Sequence, residues 1–248
     1  MPHPHTQGQP TMESFSGVKR RFKSALRKIV KKHSSYEVDE AALPAYAHAN
    51  PLIDYIFWQR VRVAYDYALS HDVANVLDFG CGTGLMSYAL AQAGKTVVAV
   101  DVNFGPLALV KEQISFPPSI TFVEGEFLRT ELPTQRFDLI LALDVLEHIT
   151  DLQPYIERFS SLLTPLGSIL VSGPSENRLY KLGRSLAGSR FTGDYHVSDI
   201  TTIKNEFSRH LKTETVATLI WPVTLFELFS ARPFAATHGH APGPTPNS

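Results

Sequence analysis

Residues Val76 to Gly84 read Val-Leu-Asp-Phe-Gly-Cys-Gly-Thr-Gly, an apolar strand running into three glycines at alternate positions just before a helical segment. Glycine takes left-handed backbone angles and carries no Cβ, so such a loop makes a tight strand-to-helix turn and lets a ligand approach the backbone. Two other nucleotide-binding loops are excluded on spacing. The dinucleotide fingerprint requires a third glycine or alanine where Leu85 stands, and the phosphate loop ending Gly-Lys-Ser/Thr is absent.

From Asn75 onward, short apolar runs alternate with segments long enough for helices, the pattern of a parallel sheet covered on both faces. Strands are expected near 75–79, 96–101, 120–123, 137–143 and 168–172, with a terminal pair near 214–220 and 223–231. Helices are expected over 85–93, 106–115, 152–163 and 199–210, preceded by a helical segment at 52–69. The second strand, Thr96-Val97-Val98-Ala99-Val100, ends in Asp101, which sets a carboxylate beside the glycine loop at the carboxyl edge of the sheet. A carboxylate there can accept two hydrogen bonds from a ribose diol.

The 23 Lys and Arg residues nearly balance 24 Asp and Glu, so no global field recruits nucleic acid, and any electrostatic function is local. A single cysteine, Cys81, excludes an intrachain disulfide or a cysteine-built metal centre and fits a reducing compartment. With no apolar run of about 18–20 residues and no signal-peptide pattern, the expected address is the cytoplasm. Between Val18 and His33 stand eight basic residues and no acidic one, while Phe15, Val18, Phe22, Leu26 and Ile29 recur at helical spacing. This is a basic amphipathic helix. Its apolar stripe either packs on the domain or adsorbs to an anionic membrane surface, so residues 18–33 are also a candidate for peripheral membrane contact. The expected organisation is a flexible tail over 1–17, a basic and helical extension over 18–70, the main domain over 71–233 and a second flexible tail over 234–248.

The glycine loop with Asp101 seventeen residues beyond it resembles the class I S-adenosylmethionine-dependent methyltransferases, whose first motif is an acidic residue before Gly-x-Gly-x-Gly. Three further segments extend the likeness: Val123-Glu124-Gly125-Glu126-Phe127, Asp144-Val145-Leu146-Glu147-His148, and Leu163-Thr164-Pro165-Leu166-Gly167, which departs from the family's Leu-x-Pro-Gly-Gly turn at Leu166 and Ser168. The resemblance covers 75–172 closely and 173–233 weakly. It implies a doubly wound, Rossmann-like α/β fold with a seven-stranded, mostly parallel sheet, helices on both faces and an N-terminal helical extension.

It also implies S-adenosyl-L-methionine as cofactor and methyl transfer to a hydroxyl of a small or lipid-like acceptor; the alternative is a non-catalytic S-adenosylmethionine-binding or protein-interaction scaffold. The cofactor-binding residues it marks are Asp78, Gly80, Cys81, Gly82, Gly84, Asp101, Val102, Glu126, Phe127 and Asp144. Asp78 is placed at the methionine end, Asp101 on the ribose and Glu126 at the adenine. Cys81 is expected to fill the loop rather than react, since no activating partner is in view. Two histidines are candidate bases: His148 beyond strand four, and His196 in Gly193-Asp194-Tyr195-His196-Val197. Imidazole suits the role because its ordinary pKa of about 6.5 lies near working pH. Asp144, Glu147 and His148 are similar to a cluster that can bind a divalent cation in ubiquinone-pathway O-methyltransferases, but no metal is assigned. Asn177, Arg178, Tyr180, Lys181 and Arg184 form either a solvated helix face or a contact to an anionic substrate.

Overall fold

The computed structural model describes residues 13–32, 51–133, 136–175, 198–220 and 224–234. Their elements run α1 (Phe15–Lys32), α2 (Pro51–Ser70), β1 (Asn75–Phe79), α3 (Leu85–Gln92), β2 (Thr96–Asp101), α4 (Gly105–Lys111), β3 (Ile120–Glu124), β4 (Phe137–Leu143), a 3-10 turn (Leu146–His148), α5 (Gln153–Leu162), β5 (Leu163–Pro174), α6 (Ile200–His210), β6 (Lys212–Ile220) and β7 (Thr224–Arg232). The seven strands lie in one sheet ordered β3-β2-β1-β4-β5-β7-β6. Strands β1 to β5 are parallel, and β7 runs antiparallel to both β5 and β6. Chain direction across the sheet reverses between β1 and β4, and in open α/β sheets the crevice outside the carboxyl ends at such a switch point receives ligands.

The period-two geometry of a strand divides the apolar runs between two cores. Val97 and Ala99 of β2 and Leu139 and Leu141 of β4 face the layer built by α1, α2 and α3. Val98, Val100, Ile140 and Ala142 face the layer containing Phe159 of α5 and Phe207 of α6. Both sheet faces are therefore covered, which is why these strands are almost continuously apolar.

Three boundaries differ from the sequence reading by about three residues or more, the others by at most two. Helix α1 starts at Phe15, inside the stretch read as a tail. Ser14 Oγ accepts the Gly17 N–H at 3.3 Å, and the Phe15 ring packs 5.0 Å from Tyr65 and 6.4 Å from Trp58. Helix α4 ends at Lys111, four residues early, because Phe116 turns inward onto Tyr88 and Phe122, at 5.5 and 5.4 Å, and two prolines follow it. Strand β5 opens at Leu163 rather than Ser168. The register jumps from Phe137 opposite Leu163 to Leu139 opposite Ser168, so the segment resembling a turn is a bulge within the strand. The apolar stripe of α1 packs on the domain: Val18, Phe22 and Leu26 are fully buried, with Phe22 against Tyr88 at 5.2 Å.

Candidate active site

Strand β1 delivers the loop 80–84 to the carboxyl edge of the sheet, where Gly80, Gly82 and Gly84 all take positive φ, at 72°, 52° and 74°. Gly80 is required twice over, since a Cβ there would lie 2.5 Å from Cγ2 of Val145. At Gly82 nothing stands within 4 Å of the place a Cβ would occupy, so the loop presents bare backbone to open space, as approach by a ligand requires. The N–H groups of Gly80 and Cys81 both bond the carbonyl of Val100, at 2.8 and 3.1 Å, tying the loop to the end of β2.

Asp101 closes that end. Its Oδ2 accepts the Gly82 N–H at 2.8 Å and its Oδ1 the Asn103 N–H at 3.1 Å. A carboxylate offers about four lone-pair sites, so each oxygen retains one for a further donor. Asp78 lies deeper, 3% exposed, and takes the hydroxyl of Ser87 at 2.5 Å. Burial pushes its carboxyl up to about 6 against the opposing pull of that bond. Cys81 is buried, and burial drives its thiol further from ionisation, with the carboxylates of Asp78 and Asp101 adding to the effect.

On the far rim Val102 is 70% exposed. Glu126 is exposed and pairs with Arg129 at 2.9 Å. The Phe127 side chain points into the core among Phe79, Tyr155 and Phe159, with the Arg158 guanidinium 4.9 Å from its ring, so only its backbone remains for a ligand at the rim.

Beyond β4 the chain turns through Asp144, the one described non-glycine residue at positive φ, 53°. Its strained backbone is held from two sides: Asp144 N–H bonds the Ser172 carbonyl at 3.0 Å, and the Ser172 hydroxyl reaches Oδ1 at 3.1 Å. The third hold was not foreseen. Arg60 of α2 pairs with Asp144 Oδ2 at 2.8 Å, and its guanidinium lies between the rings of Phe57 and Phe226, 5.1 and 4.6 Å from their centroids. A lone cation on the helical phase of Phe57, Val61 and Ala64, in an aromatic-rich segment, was the signal for it.

Glu147, 2% exposed, sits in the following 3-10 turn, and among the described residues its Oε2 has no hydrogen-bond partner. Burial, reinforced by the nearby Asp144 carboxylate, pushes it up to about 8. His148 in the same turn is exposed. Glu147 thus turns inward, His148 outward, and Asp144 is committed to Arg60; among the described residues no three His, Cys, Asp or Glu side chains are grouped to hold a metal. A divalent cation does not fit this arrangement. His196, with Asn177, Arg178, Tyr180, Lys181 and Arg184, lies outside the described residues.

Glu147 makes stability pH-dependent in a defined direction. Its folded value lies above the ordinary 4.5, so the fold binds more protons than the unfolded chain and stability declines as pH rises from about 4.5 to about 8. Asp78 contributes the same sign only up to about 6. Glu147→Gln, a neutral isostere, is expected to flatten the decline between about pH 6 and 8 in urea titrations; an unchanged slope would show that Glu147 ionises freely in the fold.

Residues 77–171 match the methyltransferase domain family. The chain is 35% identical over 105 residues to the ubiquinone biosynthesis O-methyltransferase of Pseudomonas fluorescens (strain SBW25), covering 41% of this chain and 45% of that protein. It is 25% identical over 148 residues to the enzyme of the same name from Rhodopseudomonas palustris (strain BisA53), covering 57% and 58%. The chain thus spans about half the length of these curated relatives. Among solved structures, N-methyltransferase NodS from Bradyrhizobium japonicum WM9 in complex with S-adenosyl-L-homocysteine aligns with a TM-score of 0.57 at 17% identity, over 86% of this chain and 98% of that one. The plantazolicin methyltransferase BpumL, also in complex with S-adenosyl-L-homocysteine, aligns with a TM-score of 0.61 at 11% identity, over 88% and 99%. These likenesses establish the fold.

Proposed function

We propose that this chain, whose residues 77–171 belong to the methyltransferase domain family on a class I fold, transfers a methyl group from S-adenosylmethionine to an oxygen of a small or lipid-like acceptor. The observation that carries the reading is the pairing of Asp101 with Gly82 at the carboxyl ends of β2 and β1, next to the switch point of the sheet. The remaining lone pairs of Asp101 suit the two ribose hydroxyls, and the open backbone at Gly82 suits close approach of the methionine portion. Asp78 and the 80–84 loop hold that end. Val102, Glu126 and the Phe127 backbone line the adenine side, and Asp144 borders the cleft towards the acceptor. The oxygen acceptor is favoured by the curated relatives, which are O-methyltransferases by name.

The bound donor supplies a methyl group already activated on a positive sulfonium. The chain's task is then alignment and exclusion of water, which supply much of the rate in an in-line displacement. His148, exposed at the turn beyond β4, is the described candidate to receive the acceptor's hydroxyl proton, and His196 is the second. Incubation with methyl-labelled S-adenosylmethionine and a set of phenols and catechols tests the reading. Label in an alkali-stable methyl ether is expected; tight donor binding with no label in any acceptor favours the non-catalytic scaffold.

A further inference from the structure

The burial of one face of α1 leaves the other as a surface of unusual charge. Of its eight cations, Lys19 and Lys23 pair with Asp54, at 3.1 and 2.6 Å, and Arg21 pairs with Glu13 at 3.2 Å. Arg20, Arg27, Lys28, Lys31 and Lys32 are exposed and have no ion-pair partner among the described residues. Arg20, Arg27, Lys28 and Lys31 stand at i, i+7, i+8 and i+11, one straight stripe about 17 Å long at 1.5 Å per residue, directly opposite Val18, Phe22 and Ile29. No acidic residue interrupts it. Eight of the chain's 23 basic residues and none of its 24 acidic ones lie on α1, so the remainder of the chain is net acidic and the molecule is electrically polarised.

We infer that this stripe docks the protein on an anionic phospholipid surface by charge alone. Insertion of the helix is excluded by the packing: the apolar residues it would need are in the core. A straight, one-faced row of long flexible cations matches a plane of phosphate headgroups, and each Lys or Arg held near such a surface raises partitioning roughly fivefold. Nucleic acid is the less fitting polyanion. Non-specific recognition of a single strand adds aromatic stacking to cations, and both aromatic rings of α1, Phe15 and Phe22, are buried; a duplex, bound by charge alone, is separated from the lipid surface by the competition below. The inference goes beyond the methyltransferase reading and does not depend on it, while giving a lipid-like acceptor a surface from which to be drawn.

Sedimentation of the full chain with phosphatidylcholine vesicles, with and without roughly 30% phosphatidylglycerol, tests the docking. The wild type is expected to pellet only with the anionic vesicles and to be released at about 0.5 M salt, where screening reaches a few ångströms. The variant carrying Arg20→Gln, Arg27→Gln, Lys28→Gln and Lys31→Gln is expected to lose at least about 100-fold in partitioning, with its thermal melting and S-adenosylhomocysteine binding unchanged. If the fourfold variant folds poorly, Lys28→Glu with Lys31→Glu, checked by circular dichroism, serves in its place with the same expected direction. Wild-type protein remaining in the supernatant with anionic vesicles overturns the inference, as does equal pelleting of wild type and variant. Tighter binding to a short DNA duplex than to the vesicles at equal salt overturns it in favour of nucleic acid.

Discussion

Asp101→Ala is expected to weaken S-adenosylhomocysteine binding by about 100-fold or more. On the proposed function the carboxylate receives two ribose hydroxyls; hydrogen bonds to a charged group contribute about 1.5–3 kcal/mol each, so losing both removes at least about 3 kcal/mol. The variant also frees the Gly82 N–H that Asp101 holds at 2.8 Å, which loosens the loop and adds to the loss. Equilibrium dialysis with labelled ligand measures the change. Asp101→Asn, which keeps one acceptor oxygen but no charge, is expected to fall between the two. A loss of less than about fivefold in the alanine variant would mean that Asp101 serves the loop and not the ligand.

The second large effect concerns the fold around the cleft. Arg60→Ala would leave Asp144 without its cation, at a backbone position strained by positive φ, and would remove the guanidinium that packs on Phe57 and Phe226. Breaking a buried pair costs about 3–5 kcal/mol; Asp144 keeps 21% of its side chain exposed, which lowers the figure to roughly 2–4 kcal/mol. For a chain of this size that corresponds to a fall in melting temperature of roughly 5–15 °C. Adding Asp144→Asn to Arg60→Ala is expected to recover part of the loss, since the two residues interact directly. A drop below about 1 kcal/mol, or strict additivity, would show that the pair is incidental.

The contrast between Asp101 and Arg60 indicates what could be read in advance. Asp101 was legible because its neighbours are local: a strand, a glycine turn and one crossover bring it beside Gly82, and left-handed loops announce themselves through glycine. The central strands β1, β2, β4 and β5 were legible because burial on both faces writes continuous apolar runs. Arg60 meets Asp144 across 84 positions, and that contact depends on how α2 packs against the segment that follows β4. The helical phase of Arg60 turns it inward, but nothing in either segment specifies which carboxylate it meets.

The α1 stripe was ambiguous for another reason. An apolar helix face is the same object whether it covers a protein or enters a membrane, and only the complementary rings of Trp58, Tyr65 and Tyr88 decide. The bulge opening β5 was hidden by its likeness to a turn. Gly167 is needed there because a Cβ would lie 2.8 Å from the Phe137 carbonyl, a close approach that a turn and a bulge can both demand. Phe127 lay at the expected place in the chain, yet strand and turn geometry sends its ring into the core and leaves the rim to its backbone.

On the proposed function the crevice beside the glycine loop receives S-adenosylmethionine. Calorimetric titration of the purified full chain with S-adenosylmethionine and S-adenosylhomocysteine tests it most directly. Saturable one-to-one binding of both in the micromolar range is expected. Absence of binding to either ligand up to millimolar concentration, in protein shown to be folded, would contradict it.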